Sequence, residues 1–289
     1  MDNRKNFDRQ YRLAFGVSED TGFEVGKVTR EQPIPLHIGF SIQKSETETQ
    51  NTGKVSIWNL NDEHLSVLNK KDCALSLRAG YGDRLNLIFA GIISFSTTYR
   101  QGADRVTEIE VVDNLVQIRD TFCSVSYRGK VNTKTVMDDV ANQMGVAVTY
   151  SYNAKFADLA NGFSYVGQAK NIMDKMCQCS NLVWSIQNGV MQVKCPNDVM
   201  SKEVYLLNAE SGMIGSPSRV VVSQSDSGEG NVVGWDVEYL LNGAIHIDDY
   251  VKVESEAVTG YFRVYSLDIA GDNISGDWYC KARLLEVSN

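Results

Sequence analysis

From residue 36 onward the chain alternates. Leu36, Ile38, Phe40 and Ile42 fall on one face of an extended segment, with His37, Gly39 and Ser41 on the other; this is the two-residue period of a half-buried strand. A polar loop over residues 45–53 leads into Val55-Ser56-Ile57-Trp58, a second strand. Residues 61–68 predict one short helix, with Asn61 placed to cap it and Leu65 and Leu68 turned inward. Two further apolar runs, 73–81 and 85–98, flank Gly82-Asp83, a hairpin turn signal. Thr107, Ile109 and Val111 then alternate with Glu108 and Glu110 in another strand. Strands separated by short polar turns predict a small barrel or sandwich over about residues 10–127.

The period then lengthens. Val136, Met137, Val140, Ala141 and Met144 recur at helical spacing, Gly145 supplies the stop, and residues 146–150 read as a short strand. The pattern returns thirty-six residues later: residues 171–177 repeat the apolar face, Asn181 stands in for Gly145, and residues 182–186 replace the strand. These two helix-strand units predict a small α/β module over about residues 128–200, with helices on one side of a sheet. Its methionines read as core fillers. Asn188-Gly189 marks a hairpin, and further strands follow over 232–241, 250–254, 260–269 and 278–287. In the last of these Trp278, Cys280, Ala282 and Leu284 share one face, opposite Tyr279, Lys281 and Arg283. The most linker-like run is 223–230. The expected division is a β unit over 1–127 with an N-terminal arm, the α/β module over 128–200 and a second β unit over 201–289.

Composition narrows the class. A chain of 289 residues with 43% hydrophobic and 22% charged positions has ordinary globular make-up, which excludes a disordered chain. The 23 Gly and 4 Pro exclude collagen-like and proline-rich architectures. Residues 1–10 are charged with no apolar segment behind them, unlike a secretory signal. The longest strongly apolar stretch, 85–95, is about half of the ~20 residues a bilayer requires, so no membrane insertion is expected. Six cysteines without a signal segment predict free thiols. Net charge is −8, and its distribution is uneven. Residues 1–225 hold 24 basic and 24 acidic side chains, whereas residues 226–289 hold 4 basic and 12 acidic ones. Such a segment repels a phosphate backbone.

Chemistry is sparse. The three histidines, His37, His64 and His246, share no metal-ligand spacing, and Cys177-Gln178-Cys179 has no second cysteine pair to complete a zinc site. Gly-x-Ser-x-Gly, Walker A and Gly-x-Gly-x-x-Gly patterns are missing. Asp138-Asp139 and Asp248-Asp249 are carboxylate doublets, but neighbours diverge on a strand or a helix and do not converge as an acid/base pair. Basic residues are scattered. No catalytic residue, cofactor or metal is expected from these patterns, and an enzyme is not the reading.

Several stretches resemble one family. Ser56-Ile57-Trp58-Asn59-Leu60-Asn61 precedes Leu77-Arg78-Ala79-Gly80-Tyr81-Gly82, then residues 87–93 and 104–113. Near the end, residues 248–255 lead to Gly260-Tyr261-Phe262-Arg263-Val264-Tyr265. The turn Gly271-Asp272 with Gly276-Asp277-Trp278 closes the pattern as a structural motif. In order and spacing, over about residues 36–287, this is similar to the baseplate hub proteins of contractile-tailed bacteriophages and prophages. The resemblance implies an α+β, mostly β fold with two tail-tube-like β-barrel units separated by the α/β module. It also implies a homotrimer forming a pseudo-sixfold ring, whose partners are the tail tube protein, the cell-puncturing spike and other baseplate proteins. DNA would meet it only in transit through the lumen. The location implied is the virion tail baseplate, after assembly in the bacterial host cytoplasm. A threefold ring seats a sixfold tube when each subunit offers two similar faces, although no sequence repeat links the two β units. The alternatives are the hub of a tailocin or type VI-like injector, a tail-tip receptor-binding protein and a cell-wall-degrading tail enzyme.

Overall fold

A computed structural model describes residues 8–18, 21–26, 35–46, 51–113, 121–222 and 232–287. The linker-like run 223–230, residues 1–7 of the N-terminal arm and residues 47–50 of the polar loop lie outside the described residues. The chain enters on two strands that the alternation reading had not named, β1 (Arg9–Ser18) and β2 (Thr21–Val25), paired antiparallel. Tyr11, Leu13 and Phe15 of β1 are buried at every second position. β3 (Ile38–Ser45) and β4 (Thr52–Trp58) follow, and their inward residues Ile38, Ile42, Val55 and Ile57 are fully buried. Helix α1 (Asp62–Leu68) is capped by Asn61, whose side chain accepts the His64 backbone N–H at 2.8 Å. Leu68 is buried and Leu65 packs against the core. β5 (Ala74–Tyr81) and β6 (Arg84–Gln101) turn at Gly82-Asp83 with Gly82 at φ +55°, and β7 (Asp104–Val112) returns along β6.

The middle of the chain has its own core. It comprises β8 (Phe122–Tyr127), β9 (Val131–Asn132), α2 (Thr133–Met144), β10 (Ala147–Tyr150), β11 (Asp158–Leu159), β12 (Phe163–Gln168), α3 (Ala169–Ser180), β13 (Val183–Gln187) and β14 (Val190–Lys194). Both helices end on a left-handed residue, Gly145 at φ 70° and Asn181 at φ 51°, as the sequence pattern anticipates. Met137, Met144, Met173, Met176 and Met191 are all buried in this core. The helices do more than lie on one side of a sheet. They touch the β10-β14-β13 sheet through β10 and β13, and also the separate β8–β12 ribbon. That ribbon was not anticipated, because its outer face alternates Ser and Gln with exposed Phe122 and Val166 and so lacks a strong apolar period.

The last third contains β15 (Val204–Leu207), β16 (Met213–Val222), β17 (Val232–Leu240), β18 (Tyr250–Glu254), β19 (Thr259–Asp272) and β20 (Trp278–Glu286). It joins the first third in one 13-stranded sheet, ordered β16-β17-β20-β19-β3-β4-β7-β6-β5-β1-β2, with β18 and β15 branching from β19. This order is a repeat. β16, β17, β20 and β19 lie side by side in the same succession as β3, β4, β7 and β6: a hairpin, then a second hairpin with its strands reversed. The correspondence extends outward. β5 lies between β4 and β6 in the chain and pairs antiparallel with β6, while β18 lies between β17 and β19 and pairs antiparallel with β19. Each long strand also breaks register at a matching bulge, Ser94 in β6 and Tyr265 in β19. The outer thirds share one hydrophobic core, in which Ile42, Val55, Ile109 and Phe89 pack with Val237, Leu267, Ile269 and Leu284. The fold is mostly β with a small α/β module between two strand-rich units.

Candidate functional site

The sequence singled out the turn at 271–278, and the structure shows what it touches. Asp272 Oδ1 accepts the backbone N–H groups of Ile274 and Ser275, both at 2.9 Å, and the Asp272 N–H donates to the Asp277 carbonyl at 2.7 Å. Gly276 takes φ +85° to close the loop, a region that favours glycine. The turn is also bonded outward. Asp272 Oδ2 lies 2.8 Å from His37 Nε2, its carbonyl accepts from Arg9, and Asn273 exchanges hydrogen bonds with Ile38 and Leu36. Burial opposes ionisation of Asp272, but the Ser275 N–H and the His37 ring hold its carboxyl below the ordinary value. Trp278 is buried edge-on to Phe40, and a Cβ at Gly271 would strike the Phe40 ring. The turn of the second unit is thus tied to the first strands of the first.

A second constellation was only half visible. Asp248, read as one of a diverging doublet, is wholly buried and takes Lys194 Nζ at 2.8 Å and Arg263 Nη1 at 3.2 Å. Glu46 completes the cluster, accepting from Lys194 at 2.7 Å and also from Arg263. These residues come from the segment after β3, from β14, from the loop before β18 and from β19, so one ionic cluster binds all three parts of the chain. Burial pushes the Asp248 carboxyl up to about 6 against the pull of Lys194. Burial also opposes ionisation of Glu46, yet the two cations hold it below its ordinary value. Nearby, Asn51 donates to Gln187 at 3.1 Å and buried Lys44 reaches Asn188 at 3.2 Å, extending a polar seam along the β13–β14 hairpin. The two doublets diverge: Asp138 bonds Lys134 and Tyr150 while Asp139 bonds Tyr127, and Asp249 instead accepts the His246 N–H.

The outward face of the large sheet carries rows of polar residues across both units. One row runs Thr52, Gln43, Asp268, Lys281, Glu238; its neighbour runs Phe95, Glu110, Lys54, Ser41, Ala270, Tyr279. Glu108, Glu110, Glu238 and Asp268 lie on this face, with Lys54 bound to Glu110 at 3.2 Å. Asp236 is neutralised there by Arg283 at 2.9 Å. The C-terminal acidic excess is therefore divided, since Asp236 and Asp248 are consumed by internal pairs. Cys177 is buried and Cys179 exposed, so the close cysteine pair points two ways. Among the described residues no cluster of His, Cys, Asp or Glu has the make-up to hold a metal ion, and no helix is long and apolar enough to cross a membrane.

Comparison with known proteins places this geometry. A tail protein from Neisseria meningitidis matches at TM-score 0.60, covering 97% of each chain at 9% identity. A 43 kDa prophage tail protein from Shewanella oneidensis matches at TM-score 0.61, with 96% of this chain, 97% of that one and again 9% identity. An E. coli type VI secretion component described as similar to the T4 tail proteins gp27 and gp5 matches at TM-score 0.56 over 88% of this chain and 74% of its own, at 8% identity. These likenesses establish a shared fold. No curated protein sequence matches the chain. The profile of the family described as Baseplate hub gp41 matches residues 20–283, nearly the whole length, and the chain belongs to that baseplate hub family.

Proposed function

We propose that this chain is the structural subunit of a contractile-tail baseplate hub. Three copies form a pseudo-sixfold ring that seats a hexameric tail tube on one side and a trimeric spike on the other, with other baseplate proteins around it. The observation that carries the reading is the repeated strand order of the two units within one continuous sheet. Two like units in one polypeptide give three copies six similar faces, which is what a threefold-to-sixfold adaptor requires. In this reading residues 1–127 and 201–289 supply the two tube-like units and residues 128–200 an outer module. Gly271, Asp272, Gly276, Asp277 and Trp278 brace the second unit against the first.

The outward face bearing Glu108, Glu110, Glu238 and Asp268 would line the channel. A conduit for DNA works best without tight phosphate binding, and a carboxylate-rich wall meets that need. The protein acts in the virion baseplate after assembly in the host cytoplasm, as a scaffold and not an enzyme. A second reading, the hub of a tailocin or type VI-like injector, is favoured by likeness to a VgrG-containing complex at TM-score 0.57, which covers all of this chain and 67% of that one. Gene neighbourhood separates the two: capsid and terminase genes mean a phage. Electron images of the purified oligomer test the ring. A threefold particle with a central hole is expected, and a solid or twofold particle overturns the proposal.

A further inference from the structure

One lysine sits where the alternation of β3 calls for an apolar residue. Ile38, Phe40 and Ile42 point inward along β3, and Lys44 takes the next inward slot, 5% exposed. Its Nζ lies 5.9 Å from the centre of the buried Phe89 ring. Lys194, equally buried, is matched by the carboxylates of Glu46 and Asp248. Lys44 instead meets a neutral amide, with Nζ 3.2 Å from Asn188 Oδ1 at the tip of the β13–β14 hairpin. Burial disfavours the charged form of an amine, and it brings Lys44 down to about 8 although Cys280 and Asp113 pull the other way. A desolvated, uncharged lysine is a nucleophile. A carboxylate stands close by. Asp113, 2% exposed, accepts the Asn51 backbone N–H at 3.1 Å, and the Asn51 side chain donates to Gln187, the neighbour of Asn188, at 3.1 Å.

We propose that Lys44 and Asn188 form a modification site, at which the chain closes an amide bond between its own side chains and ties the α/β module covalently to β3. Lys44 Nζ adds its lone pair to Asn188 Cγ, one bond beyond the oxygen it already touches. Asp113 takes a proton from the attacking nitrogen and returns it to Nδ2. The Cγ–Nδ2 bond then breaks and ammonia leaves. One amide replaces another, so no oxidant, metal or cofactor enters the balance. Held contact between the two groups supplies the orientation that free side chains lack. The bond also falls where the fold gains from it. The large sheet and the module keep separate apolar cores, and polar contacts such as the Glu46–Lys194–Asp248–Arg263 cluster and the Asn51–Gln187 bond join them. Lys44 and Asn188 are 144 residues apart in the chain, so the bond closes a long loop and restricts the unfolded state.

The intact mass of the purified full-length protein reads the bond directly. The parent should be lighter than its sequence by one ammonia, and protease digestion should release a branched peptide joining the segment around Lys44 to that around Asn188. On a denaturing gel the looped parent should migrate apart from K44M, which lacks the amine and should keep its full sequence mass. Asn188→Gly preserves the turn, since glycine accepts φ 51°, and should keep its full mass as well. Asp113→Asn should slow closure while leaving the reacting pair in place; closure at the parental rate overturns the part assigned to Asp113. Asn188-Gly189 has a second route to losing ammonia, attack by the Gly189 backbone nitrogen to give a succinimide. A loss that persists in K44M is that reaction and overturns the proposal. A parent wholly converted to aspartate at 188, or one whose mass is unchanged after days above about pH 8, overturns it too. None of these outcomes bears on the hub reading, which the electron images test separately.

Discussion

Replacing Lys194 by Met should be among the most damaging single changes outside the apolar core. The Lys194 ammonium has three N–H donors, and all three are used: on Glu46 at 2.7 Å, Asp248 at 2.8 Å and the Asp198 carbonyl at 3.1 Å. Its side chain is 3% exposed and that of Asp248 is 0% exposed, so solvent screens neither. The four charges of Glu46, Lys194, Asp248 and Arg263 cancel. K194M leaves one buried negative charge uncompensated, and a broken buried pair costs about 3–5 kcal/mol. D248N leaves one positive charge instead; asparagine suits the site because residue 248 sits at φ +66°, where Asn is tolerated. The double variant K194M/D248N is neutral again, keeping only the Glu46–Arg263 pair. It should therefore be more stable than K194M alone, with a coupling of roughly 1–3 kcal/mol in a double-mutant cycle. Urea unfolding of the four proteins measures this. The K194M deficit should also shrink from pH 7 to pH 5, because losing the pull of Lys194 lifts the Asp248 carboxyl above its parent value of about 6, and its protonated form carries no charge to strand. Losses that simply add, or a K194M loss below about 1 kcal/mol, would show that the cluster is not a closed ionic unit.

Two further outcomes follow from single residues. Gly271→Ala should lower stability by about 1–3 kcal/mol, the usual cost of overpacking, because its Cβ enters the buried Phe40 ring; thermal unfolding against Gly39→Ala, whose Cβ meets nothing nearer than 3.9 Å, isolates the steric part. Asp249 is held by burial at about 6, with the His246 N–H pulling the other way. A carboxyl raised in the fold stabilises fully below its unfolded value near 4 and loses that contribution as pH rises through about 6. Stability of the parent should thus fall over this window, and Asp249→Asn should flatten the slope of the urea midpoint against pH.

Local periodicity made most elements legible. The burial of Ile38, Phe40 and Ile42, the Asn61 cap, the Gly82-Asp83 turn and the paired helix stops at Gly145 and Asn181 all depend on residues within a few positions of one another. β16 escaped reading because its two extra residues against β17 and Pro217 destroy the alternation. β1 carries the same local signal, since Tyr11, Leu13 and Phe15 alternate and are buried. The ionic cluster was illegible for a different reason. Glu46, Lys194, Asp248 and Arg263 are separated by long stretches of chain, and nothing in the neighbourhood of any one of them announces the other three. The pairing of β3 with β19 belongs to the same class, a long-range contact that periodicity is blind to.

That pairing also explains why the repeat is silent in the sequence. The register makes Gly53, Val55 and Ile57 of β4 equivalent to Trp235, Val237 and Tyr239 of β17. The slots coincide while the volumes differ widely. At Gly53 an added Cβ would crowd Ile42 and the Phe89 ring, whereas its counterpart is a tryptophan packed on the core. What the fold repeats is strand order, inward alternation and a bulge; the side chains filling each slot are set by what lies above it, and the shared core is packed asymmetrically. The two units therefore cannot exchange places. Strand order can therefore repeat while side chains cannot be exchanged between slots: Gly53 and Trp235 are each fitted to one half of a single core, and neither would suit the other's place.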